Sequence, residues 1–166
     1  MRKNNTFNRD RAGFSLIELV VVIVIIAIIG AIAIPKMSRG SVGAGDSSLI
    51  QDLSILRSAV DMYNTEHPTA QLGAGSSTTL LTQALTEYSD SAGANFSTSK
   101  STTCIYGPYV KSFPILPVGT NKSQSGITAT GPAGTGSFGW YFDGTTFWAN
   151  DPTSDVDSSG TAYNTY

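Results

Sequence analysis

"RAGFSLIELVVVIVIIAIIGAIAIP", residues 11–35, decides how the rest of the chain is read. Nearly all of it is aliphatic, yet Glu18 stands near its start. The run from Leu19 to Ile34 is uncharged, and with Phe14–Ile17 it reaches about the 20 residues that a helix needs to cross a bilayer core. Val and Ile dominate it, and in lipid they too become helical because the backbone must bond to itself.

The flanking charge has a direction. Residues 1–13 carry Arg2, Lys3, Arg9 and Arg11 against Asp10, a net +3, which leaves −5 for the remainder of a −2 chain. Positive charge ahead of an apolar run holds that end in the cytoplasm, so the remainder is expected to be exported. The later sequence is rich in Gly, Ser and Thr, and no basic patch follows the apolar run, which excludes a nucleic-acid footprint.

Three readings of the run are open. It is a plain membrane anchor, or a secretory signal peptide with Ala31-Ile32-Ala33 as an A-x-A cleavage site, or a span cut at its front. Only the third explains Glu18. A carboxylate inside a membrane helix costs about 2.5–3.5 kcal/mol on insertion scales. If the chain is cut between Gly13 and Phe14, Phe14 gains a free α-amine, and the amine of a neighbouring copy offsets the charge of Glu18. Such a charge favours assembly.

"GFSLIELVVVIVIIAIIGAIAIP" resembles the prepilin signature of type IV pilins and type II secretion pseudopilins: Gly13 before the cut, Phe14 after it, Glu18 four residues on, then an apolar helix reaching Pro35. The resemblance covers residues 11–40. It implies cleavage between Gly13 and Phe14 by a prepilin peptidase, N-methylation of Phe14, and an assembly role for Glu18.

Beyond the run, Pro35 is expected to kink the helix. Leu49, Leu53, Leu56, Val60 and Tyr63 then fall on one helical face. The pattern predicts a helix from Phe14 to Glu66, greasy all round in its first half and with one apolar stripe in its second. "STTLLTQALTEYSD" predicts a short second helix after a Gly/Ser linker at 73–77, and residues 89–103 read as a loop. "GWYFDGTTFWAN" predicts a hairpin about Asp143-Gly144, with a further strand near Ile127–Thr130. The fold class is α+β: a long N-terminal helix on a small antiparallel sheet head. The organisation is leader 1–13, membrane and filament-core helix 14–38, and amphipathic helix plus periplasmic head 39–166.

The segment "YGPYVKSFPILPVG" has three prolines, which exclude a central strand. It resembles a loop of the major pseudopilins at Tyr109, Val110, Pro114, Pro117 and Gly119, and departs from it at Leu116 and Val118. The tail carries Asp151, Asp155 and Asp157. Dense oxygen ligands suit calcium, and major pseudopilins have an acidic calcium loop here, although the spacing completes no calcium motif and a solvated tail is the alternative. Cys104 reads as a semi-buried thiol and His67 as a helix end. Neither forms a catalytic or zinc pattern, so no enzyme is expected.

The resemblance implies a structural subunit of a type II secretion pseudopilus, polymerising to drive export across the outer membrane. Its partners would be further copies of itself, minor pseudopilins, the prepilin peptidase, an inner-membrane assembly platform and, before assembly, lipid. A type IV pilus subunit for adhesion, motility or DNA uptake is the alternative within the class. A secreted carbohydrate-binding module cut after Ala33 is the alternative outside it.

Overall fold

The computed structural model describes residues 13–129 and 138–166, with the backbone alone over 33–41. The fold is α+β. The first helix, α1, spans Leu16–Glu66, 51 residues. The chain divides into two compact units, residues 1–38 and 39–166.

In the first unit every described side chain of α1 from Leu16 to Ile29 is exposed, as are Ala31 and Ile32. A helix that is apolar on all sides finds nothing to pack against in its own chain and needs another apolar medium. The described stretch Leu16–Ile32 rises about 25 Å at 1.5 Å per residue. Among the described residues no helix is long and apolar enough to cross a membrane. α1 continues through Pro35 without a break in its helical span, and residues 1–12 of the leader lie outside the described residues.

In the second unit the stripe read from the sequence is the core. Leu49, Leu53, Leu56, Val60 and Tyr63 are each at most 1% exposed. They pack with Leu81 and Leu85 of α2 (Thr78–Thr86) and with Trp140, Phe142 and Phe147. The Oγ of Ser77 caps α2 by accepting the N–H of Leu80 at 3.1 Å, which satisfies one of the free amides of the first turn. Tyr88, placed in this helix by its spacing, instead starts a strand.

Residues 88–97 are not all loop. β1 (Tyr88–Ser89) pairs antiparallel with β2 (Phe96–Ser97). The larger sheet has the order β3 (Gly126–Thr128), β4 (Phe138–Phe142), β5 (Phe147–Ala149). The β4–β5 hairpin is antiparallel with Phe142 opposite Phe147, so Asp143–Thr146 form the connection. Asp143 organises it, its Oδ1 accepting the N–H groups of Thr145 at 2.7 Å and Thr146 at 2.8 Å. β3 joins β4 in parallel.

The proline segment runs without strand structure, as its composition dictates, and is fastened at several points. The N–H groups of Tyr109 and Val110 both reach Leu85 O at 3.0 Å. The indole N–H of Trp140 donates to Pro114 O at 2.8 Å.

Candidate functional site

α1 begins with a capped turn. The N–H of Ser15 donates to Glu18 Oε2 at 2.9 Å, and Ser15 O accepts the N–H of Leu19 at 3.2 Å. The carboxylate therefore satisfies an amide at the helix start and sits at the positive end of the helix dipole. Phe14, just ahead of it, is 85% exposed. Gly13 is exposed too, and a Cβ built on it meets nothing within 4 Å. With Ile17, Val21 and Val22, Phe14 and Glu18 line a shallow apolar cleft.

At the other end of the sequence the three tail aspartates part company. Asp151 is fully buried. Its Oδ1 accepts the N–H of Asn121 at 2.8 Å, while Oδ2 is buried with no hydrogen-bond partner. Burial raises its pKa, and the nearby charge of Asp155 adds to the rise. Asp155 in turn accepts the N–H of Thr120. Gly119 precedes this turn with φ +75°, and a Cβ there would lie 1.9 Å from Asp151 Oδ2, so glycine is required for both reasons.

Asp157 serves its own turn. It accepts the N–H groups of Ser159 and Thr161, each at 2.8 Å, and the hydroxyls of Ser159 and Tyr166. The Tyr166 hydroxyl is the largest cause of a pKa held well below the usual carboxylate range. Among the described residues no group of three or more His, Cys, Asp or Glu side chains is placed to hold a metal ion. Of the three aspartates, Asp151 alone holds a buried oxygen without a partner, a group that a positive charge would satisfy. The oxygens of Asp157 are already committed.

Two residues of α1 strap this tail down. Asp46 accepts the Tyr163 hydroxyl at 2.9 Å and the Ser158 hydroxyl at 3.0 Å. Arg57 donates Nε and Nη2 to Phe147 O at 3.1 and 3.0 Å, and Nη2 also to Tyr166 O at 2.6 Å. It thereby ties α1 to β5 and to Tyr166.

The N-terminal segment matches known proteins. The family model for the prokaryotic N-terminal methylation motif matches residues 8–34, across the Gly13-Phe14 step and Glu18. The chain is 34% identical over 68 residues to the type II secretion system core protein G of Klebsiella michiganensis, and equally to that of Aeromonas hydrophila; each alignment covers 39% of this chain and 48% of the relative. It is 33% identical over 57 residues to the competence protein ComGC of Halalkalibacterium halodurans, covering 34% of this chain and 56% of the relative. These likenesses support a relation to the pseudopilins and type IV pilins through the methylation-motif segment. It spans about half the length of the curated relatives it matches. No solved structure matches it significantly.

The Ser15–Glu18 contact lies outside the expectations drawn from the sequence. Its signal was in view: Ser15-x-x-Glu18 ahead of an apolar run is a capping-box spacing. Asp46 and Arg57 had no such signal, because their partners lie about a hundred residues away. The His67 expectation holds in part. His67 follows the last residue of α1 and is fully buried, with Nδ1 at 3.0 Å from Tyr63 O and Nε2 at 3.1 Å from Ser89 Oγ. Ser89 is equally buried, so this serine–histidine contact meets no substrate and is a core hydrogen bond. Cys104 is 5% exposed with its thiol 3.6 Å from Asn95 O.

Proposed function

We propose that this chain is the structural subunit of a type II secretion pseudopilus. The observation that carries the reading is the helix Leu16–Ile32, exposed on every side and headed by a carboxylate inside a methylation motif. A surface of that extent and character marks a membrane or protein contact. Before assembly, residues 14–38 lie in the inner membrane with the leader cytoplasmic and the head, 39–166, periplasmic. After assembly the same helix packs against its copies in the filament core.

In this reading a prepilin peptidase cuts between Gly13 and Phe14, where the exposed, unstructured step before α1 gives access, and the Phe14 amine is methylated. Minor pseudopilins and an inner-membrane platform are the further partners. Glu18 keeps one oxygen on the Ser15 N–H and offers the other to the Phe14 amine of a neighbouring copy. That pair forms at one axial offset, so it sets register where sliding Val and Ile contacts would not. Calcium, when bound, neutralises the buried charge of Asp151 with help from Asp155 and pins the 119–121 turn to the tail, while Asp157 shapes the loop without holding the ion.

A type IV pilus subunit is the second reading, favoured by the likeness to the competence protein. A deletion strain separates them. Loss of secreted enzymes with surface pili intact supports the pseudopilus; the reverse outcome moves the chain to the pilus class. Loss of neither overturns both.

A further inference from the structure

The alternation of the β4–β5 hairpin sends Trp140, Phe142 and Phe147 into the core and leaves Tyr141 and Trp148 on the opposite side, both half-buried. These two are direct cross-strand partners, which puts both on one face of the hairpin. They are not spare core residues. Together with Asp143, Asn164 and Thr165 they line a cleft of about 510 Å³, within the size range of small-molecule sites.

The polar groups of this cleft define what suits it. Asp143 Oδ2 accepts the indole N–H of Trp148 at 2.8 Å, which fixes the ring. Arg57 already lies over Trp148, its guanidinium carbon 5.4 Å from the ring centroid. A cationic ligand would meet Arg57, and an anionic one would meet Asp143. Asn164 lines the cleft, but its Oδ1 is closed off from solvent, which leaves the exposed Asp143 and Thr165 as the polar edge. A neutral ligand with an apolar ring face and hydroxyl donors on its edge answers both conditions.

The geometry points to a carbohydrate-binding cleft on the head: a pyranose ring stacks on Tyr141 and Trp148, with its hydroxyls directed to Asp143 and Thr165. The site is independent of the filament reading, since every residue in it belongs to the second unit and none to the apolar helix. A surface subunit bearing it would contact a neutral glycan on a cell wall or on exported cargo.

The test is ligand-observed saturation-transfer NMR on the full chain in a sugar-free polyoxyethylene detergent, with cellohexaose, maltohexaose and chitohexaose as separate probes. At least one probe is expected to receive saturation at millimolar concentration. Tyr141→Ala and Trp148→Ala are each expected to weaken it by about tenfold or more, while Ile115→Ala, an exposed apolar change outside the cleft, leaves it intact. Trp148→Tyr keeps a ring and is expected to retain binding, which separates a lost platform from a misfolded head. No transfer from any of the three probes at about 10 mM overturns the proposal. So does transfer that survives both alanine variants, or a proline-rich peptide that takes the cleft where the sugars do not.

Discussion

The carboxylate of Glu18 accepts the backbone N–H of Ser15 at 2.9 Å. The one carboxylate set within the apolar run therefore also caps the start of its helix. These two roles separate by substitution. Glu18→Gln keeps an acceptor for Ser15 but removes the charge; Glu18→Val removes both. Both variants are expected to insert and to be cleaved, and both to fail in filament assembly and secretion. Only Glu18→Val should fray the first turn, at a cost of about 0.5–2 kcal/mol of helix stability. Normal assembly by Glu18→Gln would mean that capping, and not charge, is what the carboxylate supplies.

Processing gives a second expectation. Intact-mass measurement of membrane-fraction protein should find a chain beginning at Phe14 with a methylated amine. Gly13→Ala should be cut more slowly and a bulky residue at 13 not at all, since a peptidase subsite fitted to glycine has no room for a side chain. A mature chain beginning at Ile34 would restore the signal-peptide reading.

Arg57 bridges α1, β5 and the chain end. Removing a charged donor from two carbonyls costs about 1.5–3 kcal/mol, so Arg57→Ala should lower the thermal midpoint of the head. Arg57→Lys should recover little of it, because an ammonium cannot span both carbonyls as a planar fork does. Equal melting of the wild type and the alanine variant in the full chain would show the bridge to be energetically idle.

Calcium is expected to raise the melting temperature relative to a chelator, by mass action on the folded state. Asp151→Asn should abolish that shift. Asp157→Asn should lower stability in both conditions and keep the shift, since its oxygens are engaged within its own turn. A shift lost with Asp157→Asn and kept with Asp151→Asn would reverse the assignment.

Asp90 tests acid stability. Its pKa is lowered, first by the side-chain hydrogen bond from Asn95 and then by the N–H of Ala94. A carboxyl whose folded pKa is depressed contributes stability above its unfolded value, near pH 4, and that contribution is lost as pH falls through the folded value. Melting temperature should fall more steeply below about pH 4 in the wild type than in Asp90→Asn. Parallel curves between the two would remove Asp90 from the acid response.

Local pattern carried much of this protein. The all-round apolar run, the Leu49–Tyr63 stripe, α2 and the aromatic hairpin are legible because each depends on residues a few positions apart, where helix and strand periods act directly. The Ser15–Glu18 cap is equally local and was legible by its spacing. What only the tertiary structure decided are the relations between distant segments. Asp46 meets the tail and Arg57 meets β5 and Tyr166 because the part of α1 within the second unit packs into that unit's core, and no periodicity encodes that pairing. β3 lies parallel to β4, although sequence order suggested a plain antiparallel sheet. The three tail aspartates looked alike in sequence, yet burial beside the Gly119–Asn121 turn isolates Asp151 with an unpaired oxygen, while Asp157 is satisfied by its neighbours. Which side of the hairpin would face the core was set by the packing of Trp140, Phe142 and Phe147 against α1, and that choice is what leaves Tyr141 and Trp148 together at the surface.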